Sequence, residues 1–264
     1  MEPLRQHATA IYRLPREKAV VRCGPLESAE SLARTVQLVH WLLGHKFPAT
    51  EPLELEQPVT TASGVLTFWR HYPQPGGTPP ARSLGALLRH LHSLPEPPIR
   101  LPAYEPLAAL SRTVEASALP EPRREWLRHA IDARLSEYRA LEFSLGSGLI
   151  HGDAYPGNTL WDGDQVRLGD WDEAAWGPHE IDLANTFQGV RFGRTSKELA
   201  EFSAAYGAQL APATLRTLTA MRDLHTLGAF IRRADAGDAN AHVQLQHRLD
   251  TLQRDELHAR WDVH

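Results

Sequence analysis

Asp153, Asn158 and Asp170 are the residues whose types and spacing could do chemistry in this chain of 264 residues. They fall within residues 151–184, which read HGDAYPGNTLWDGDQVRLGDWDEAAWGPHEIDLA. A carboxylate such as Asp153 can orient a hydroxyl and take its proton. A carboxamide and a second carboxylate, Asn158 and Asp170, supply the hard oxygen ligands that Mg2+ prefers, with water and phosphate filling the rest of its shell. Together these groups are what phosphoryl transfer needs, because the transferring group spreads charge over its oxygens. A loop rich in Asp, Gly and Asn merely because it turns would account for the residue types but not for their spacing.

Those three residues converge only if the intervening chain folds back. Thr159-Leu160-Trp161 and Gln165-Val166-Arg167-Leu168 favour strands, and Asp162-Gly163-Asp164 between them predicts a hairpin. Asp153 and Asn158 then lie in the loop entering the first strand, and Asp170 just past the second. Antiparallel pairing makes those outer ends neighbours.

The segments His151-Gly152-Asp153 with Asn158, Leu168-Gly169-Asp170-Trp171-Asp172, and Gly177-Pro178-His179-Glu180-Ile181-Asp182-Leu183-Ala184 resemble aminoglycoside phosphotransferase-like (choline kinase-like) enzymes. The resemblance implies a two-lobed protein-kinase-like fold, with a small antiparallel-sheet lobe carrying one helix and a larger, mainly helical lobe. It implies ATP or GTP as co-substrate, Mg2+ as cofactor and a small-molecule hydroxyl as acceptor, an amino sugar first among the candidates. Asp153 would be the catalytic base, Asn158 and Asp170 the metal ligands, His151 a positioning residue, and Asp182 the tie between the following helix and the catalytic loop. Asp172, Glu173 and Glu180 could form an acidic rim for a cationic acceptor; solvated loop and helix ends are the competing reading.

The remaining pattern fits that layout. Residues 9–23 read as two strands around a turn at Pro15-Arg16-Glu17, and a strand from Lys18 to Cys23 would place Lys18, Val20 and Arg22 on one face. A helix follows, with Ser28 as N-cap and Gly44 past its end. Residues 52–72 read as two strands, PLELEQPV and GVLTFWRHY. The proline-glycine run at 73–80 reads as a link between a small nucleotide-binding lobe, 1–72, and a helical lobe, 81–264. From Ala81 on, apart from the central hairpin, apolar spacing is helical, including segments near 197–210, 212–236 and 238–260. Strands gathered early and helices late make an α+β protein.

The small lobe departs from the family's pattern. Arg22 stands where a phosphate-binding lysine is expected, and arginine grips phosphate differently. Lys18 is the only lysine in these strands. Thr35 falls where the helix should carry a glutamate, with Glu27 and Glu30 as possible substitutes. The first glycine is Gly24, so the phosphate-covering loop is short or missing. Phe68, Trp69 and Arg70 fall where a hinge would meet the nucleotide base through its backbone; aromatics closing the core between lobes are the competing reading.

A net charge of −4 argues against a nucleic-acid binder that works by broad phosphate neutralisation. No long uncharged apolar run predicts a membrane span, and the N-terminal residues do not read as a secretion signal. One cysteine, Cys23, fits a reducing cytoplasm and reads as a small buried hydrophobe. The fourteen histidines are scattered and show no HExxH pattern. The partners expected are therefore a nucleotide and a small acceptor, with the chain a monomer or homodimer. Other acceptors (an amino alcohol, a homoserine-like metabolite, a macrolide) and a kinase-fold protein that binds without turnover are the rival readings.

Overall fold

The computed structural model describes residues 2–6 and 10–262. Its first part is a five-stranded sheet built from β1 (Glu2–Gln6), β2 (Ala10–Leu14), β3 (Ala19–Gly24), β4 (Val59–Thr61) and β5 (Gly64–Arg70), in the order β1-β2-β3-β5-β4. Every pairing in it is antiparallel. Valine and aromatic residues suit these strands, and Val21 and Val65 are buried. The helix α1 (Ala29–Gly44) buries Leu32, Val36, Val39 and Leu42 at helical spacing, and the last three join Trp69 of β5 in one core.

The predicted strand over 52–59 is corrected. Residues 52–58 stay irregular, with a single bridge between Pro52 and Trp69. Proline at 52 and 58 removes backbone donors, and the Gln57 side chain takes the place of a neighbouring strand: its Oε1 accepts from the Phe68 N–H at 2.7 Å. The strand from Lys18 is also shorter than predicted. Lys18 lies in the exposed β2–β3 turn at φ 49°, and the strand begins at Ala19. Residues 7–9, where a phosphate-covering loop would fall, lie outside the described residues.

Residues 71–80 carry no regular element. Beyond them come α2 (Ala81–Leu91), α3 (Ala108–Ala116) and α4 (Glu121–Arg139). Four short strands follow: β6 (Ser147–Ile150), β7 (Thr159–Asp162), β8 (Gln165–Leu168) and β9 (Ala175–Pro178). The predicted hairpin is β7–β8, while β6 and β9 form a second antiparallel pair that brackets it. The chain closes with α5 (Glu180–Phe187), α6 (Ser196–Tyr206), α7 (Pro212–His225), α8 (Leu227–Asp235) and α9 (Ala239–Gln253). The single helix predicted over 212–236 is two, divided at Thr226. A second core, built on Leu127, Ile131, Ile150, Leu227 and Leu249, fills this helical lobe. Among the described residues no helix is long and apolar enough to cross a membrane.

Candidate active site

The β6–β9 ladder holds both ends of the stretch between Ile150 and Ala175, so the loops inside it start from fixed points. His151 is fully buried under Trp171, with ring centroids 4.6 Å apart. Its Nδ1 accepts from the Asp153 N–H at 3.3 Å, so Nε2 carries the proton and donates to the Gly169 carbonyl at 2.8 Å. One imidazole thereby spans the loop bearing Asp153 and the loop bearing Asp170. Asp182, wholly buried at the start of α5, accepts the His151 and Gly152 N–H groups, each at 2.8 Å, and His92 Nε2 at 3.1 Å. These bonds, with the nearby imidazoles, outweigh the cost of burial and hold its carboxyl below the usual carboxylate range. Asn185 Nδ2 donates to the Gly152 carbonyl at 2.9 Å.

On this frame Asn158 Nδ2 donates to the Asp153 carbonyl at 2.9 Å and to its Oδ2 at 3.2 Å. With its nitrogen engaged, the amide oxygen of Asn158 is the atom available to a cation. Asp170 adopts the left-handed conformation at φ 63°, ψ 59°. Among the described residues no cluster of three or more His, Cys, Asp or Glu could hold a metal. The donors here are one amide oxygen and carboxylate oxygens, which fit a hard cation that completes its shell with phosphate and water.

Arg22 reaches across from β3 to this acidic loop, with Nη2 3.0 Å from Asp170 Oδ1 and 2.6 Å from Asp172 Oδ2. Burial disfavours its charge, but the two carboxylates more than compensate, and its pKa is raised. Burial, then the charges of Asp170 and Glu173, hold Asp172 above the usual carboxylate range despite Arg22. Arg22, Val20 and Trp69 line one wall of a cavity of about 460 Å³ between the lobes, and Asn158, Gly169 and Asp170 line the other. Arg70, His71 and Tyr72 border it, and Arg70 also pairs with Glu51 at 2.9 Å and Asp162 at 3.2 Å.

Several candidate residues are not brought here. Lys18 sits in its exposed turn and does not line the cavity. Phe68 pairs with Val21, on the sheet face opposite the Val20–Trp69 pair. The three acidic-rim candidates are placed apart in their contacts: Asp172 and Glu173 are exposed and Glu180 is buried. Glu180 is buried with Oε1 accepting from the Leu145 N–H at 2.8 Å, and Asp172 is committed to Arg22. Only Glu173 borders a second, smaller cavity, where His225 Nε2 lies 3.4 Å from its Oε1. Burial works against its ionisation, but His225 and Arg222 prevail and its pKa is lowered. Neither substitute suggested for the helix glutamate is placed on Arg22, whose acidic partners are Asp170 and Asp172: Glu30 pairs with Arg34 at 3.0 Å and Glu27 is exposed.

Sequence reasoning missed Arg222. Reaching in from α7, it places Nη2 on Asp153 Oδ1 in a close ion pair. No local pattern marks it, because its position depends on how α7 packs.

A sequence profile described as the phosphotransferase enzyme family (APH) matches residues 6–224. No curated protein sequence matches the chain. Among solved structures, it is similar to an amicoumacin kinase in complex with AMP-PNP, Ca2+ and Ami, at a TM-score of 0.72 and 13% identity over 98% of this chain and 90% of that one. It is similar to a choline/ethanolamine kinase family protein from Mesorhizobium loti, at a TM-score of 0.66 and 18% identity over 96% and 86% of the two chains. It is also similar to an aminoglycoside phosphotransferase from Streptomyces rimosus in complex with ADP and streptomycin, at a TM-score of 0.62 and 20% identity over 82% and 90%. At these identities the likeness establishes the two-lobed kinase-like fold.

Proposed function

The chain belongs to the phosphotransferase enzyme family, and from that premise we propose that it moves the terminal phosphate of ATP or GTP to a hydroxyl of a small molecule. The observation that carries this reading is the convergence of Asp153, Asn158 and Asp170 beside the interlobe cavity. Adenine nucleotides in two of the similar structures support the choice of donor.

In this reading the acceptor oxygen forms a new bond to phosphorus. The bond from phosphorus to the bridging oxygen breaks, and its electron pair leaves with the nucleoside diphosphate. The hydroxyl proton passes to a carboxylate oxygen of Asp153, which His151 and Asn158 keep in place. Asn158 Oδ1 and the Asp170 carboxylate would hold Mg2+, which when bound neutralises charge on the phosphate oxygens. Arg22 and the Trp69–Tyr72 strap border the space for the nucleotide. An amino-sugar acceptor, the finer reading, keeps one acidic side chain on the second cavity, Glu173.

The test is Asp153→Asn. It is expected to lower kcat by at least about two orders of magnitude while calorimetry finds Mg·ATP binding retained. Full turnover by the variant would overturn the assignment.

A further inference from the structure

A small cavity of about 20 Å³ is bordered by Gly152, the residue before Asp153, and by Glu173, Arg222, His225 and Tyr104. That volume holds about one water-sized group, so it takes only the reacting end of an acceptor. Arg222 dominates its chemistry. The side chain is 11% exposed, and Nη2 is fixed on Asp153 Oδ1. Its Nε is shielded from solvent and has no hydrogen-bond partner among the described residues. A buried donor left unpaired is costly, and a bound acceptor group can relieve that cost.

Resting on the phosphotransferase reading above, we infer that Arg222 selects the acceptor: the carbon next to the reacting hydroxyl carries an oxygen, as in a vicinal diol, a sugar or a 2-hydroxy acid. The reacting hydroxyl must meet the Asp153 carboxylate, where Nη2 already sits. Nε–H belongs to the same planar guanidinium and is the donor next along it, so it meets an acceptor atom one carbon over. An ammonium at that carbon presents only N–H donors and would leave Nε–H unpaired. Arg222 thus acts on specificity, and it does so from the acceptor side: it borders the small cavity and not the nucleotide one.

The experiment measures kcat/KM at saturating Mg·ATP for acceptors sorted by the carbon beside the hydroxyl. Glycerol, glycerate and ribose carry oxygen there, ethanolamine and serine carry nitrogen, and homoserine carries neither. Aminoglycosides that differ by hydroxyl for amine at that carbon extend the set to larger acceptors. Wild type is expected to favour oxygen-flanked hydroxyls by about tenfold or more, the scale of one hydrogen bond to a charged group. Arg222→Gln is expected to bring that ratio toward one. Arg222→Lys is expected to keep the bias against amines while losing rate, with KM for ATP unchanged in both variants. A purely structural arginine would lower all acceptors alike and leave the ratio untouched. Preference for amine-flanked or bare hydroxyls by wild type, or an unchanged ratio in Arg222→Gln, would overturn the inference while leaving the phosphotransferase reading intact. Absence of transfer to every acceptor would overturn both.

Discussion

Arg22 decides how the acidic loop of the cleft is held before any cation arrives. Two carboxylates, Asp170 and Asp172, converge on one guanidinium whose side chain is 14% exposed. No acid of α1 joins it, because the one acidic residue of that helix, Glu30, is turned to Arg34. A divalent cation held by Asp170, as proposed above, would therefore compete with Arg22 for that carboxylate. Arg22→Met is expected to cost about 1–2 kcal/mol of stability without divalent cations, less than a fully buried pair because both acids keep contact with solvent. Mg2+ should then restore more stability to the variant than to wild type. Urea unfolding with and without MgCl2 measures both effects, and equal Mg2+ responses would show that Arg22 and the cation do not share Asp170.

At the scale of elements, the β6–β9 ladder sets the loop bearing Asp153 and Gly152 lets it pass. Gly152 sits at φ 82°, and a Cβ there would lie 2.2 Å from the Glu173 carbonyl oxygen. Gly152→Ala combines a left-handed backbone with a clash against main chain, which together cost about 1–3 kcal/mol. Displacing Asp153 is expected to reduce turnover at least tenfold, about the cost of a small misplacement of a catalytic group, while ATP binding persists. Normal kinetics would mean the loop position is not critical. The β7–β8 hairpin was legible because Asp162-Gly163 announces its turn locally. The flanking β6 and β9 were not, since each is four residues long, contains a glycine, and pairs with a distant partner. The same limit explains residues 52–58, where the Gln57 side chain satisfies the Phe68 N–H. It explains Arg222 too: Asp153, Asn158 and Asp170 share one stretch of sequence, but the arginine paired with Asp153 comes from α7 and no spacing rule connects them.

Across the whole molecule, the helical lobe is pinned behind the site by one buried polar cluster. His92, capping the end of α2, joins Asp182 of α5 at 3.1 Å and the Tyr206 hydroxyl of α6 at 2.9 Å, and it stacks on His179 with centroids 4.1 Å apart. Burial, and then the adjoining His92, hold His179 below its ordinary value of 6.5. The folded chain therefore resists a proton that the unfolded chain accepts. As pH falls below about 6.5, the unfolded state binds more protons, so stability declines until the lower folded value is passed. Asp182 behaves differently: its depressed carboxyl adds stability above the unfolded carboxylate value of 3.8, which is lost only in stronger acid. The two groups thus act in separate pH windows; His71, whose pKa burial also lowers, shares the mild-acid window with His179, so a variant is needed to separate them. His179→Asn keeps a donor for the Leu145 carbonyl, which His179 Nδ1 contacts at 3.0 Å, but removes the titration. Unfolding free energy measured in urea at pH 7.5 and 5.5 should fall with acid in wild type and fall less in the variant. Parallel losses in the two proteins would assign the acid sensitivity of this lobe to other groups.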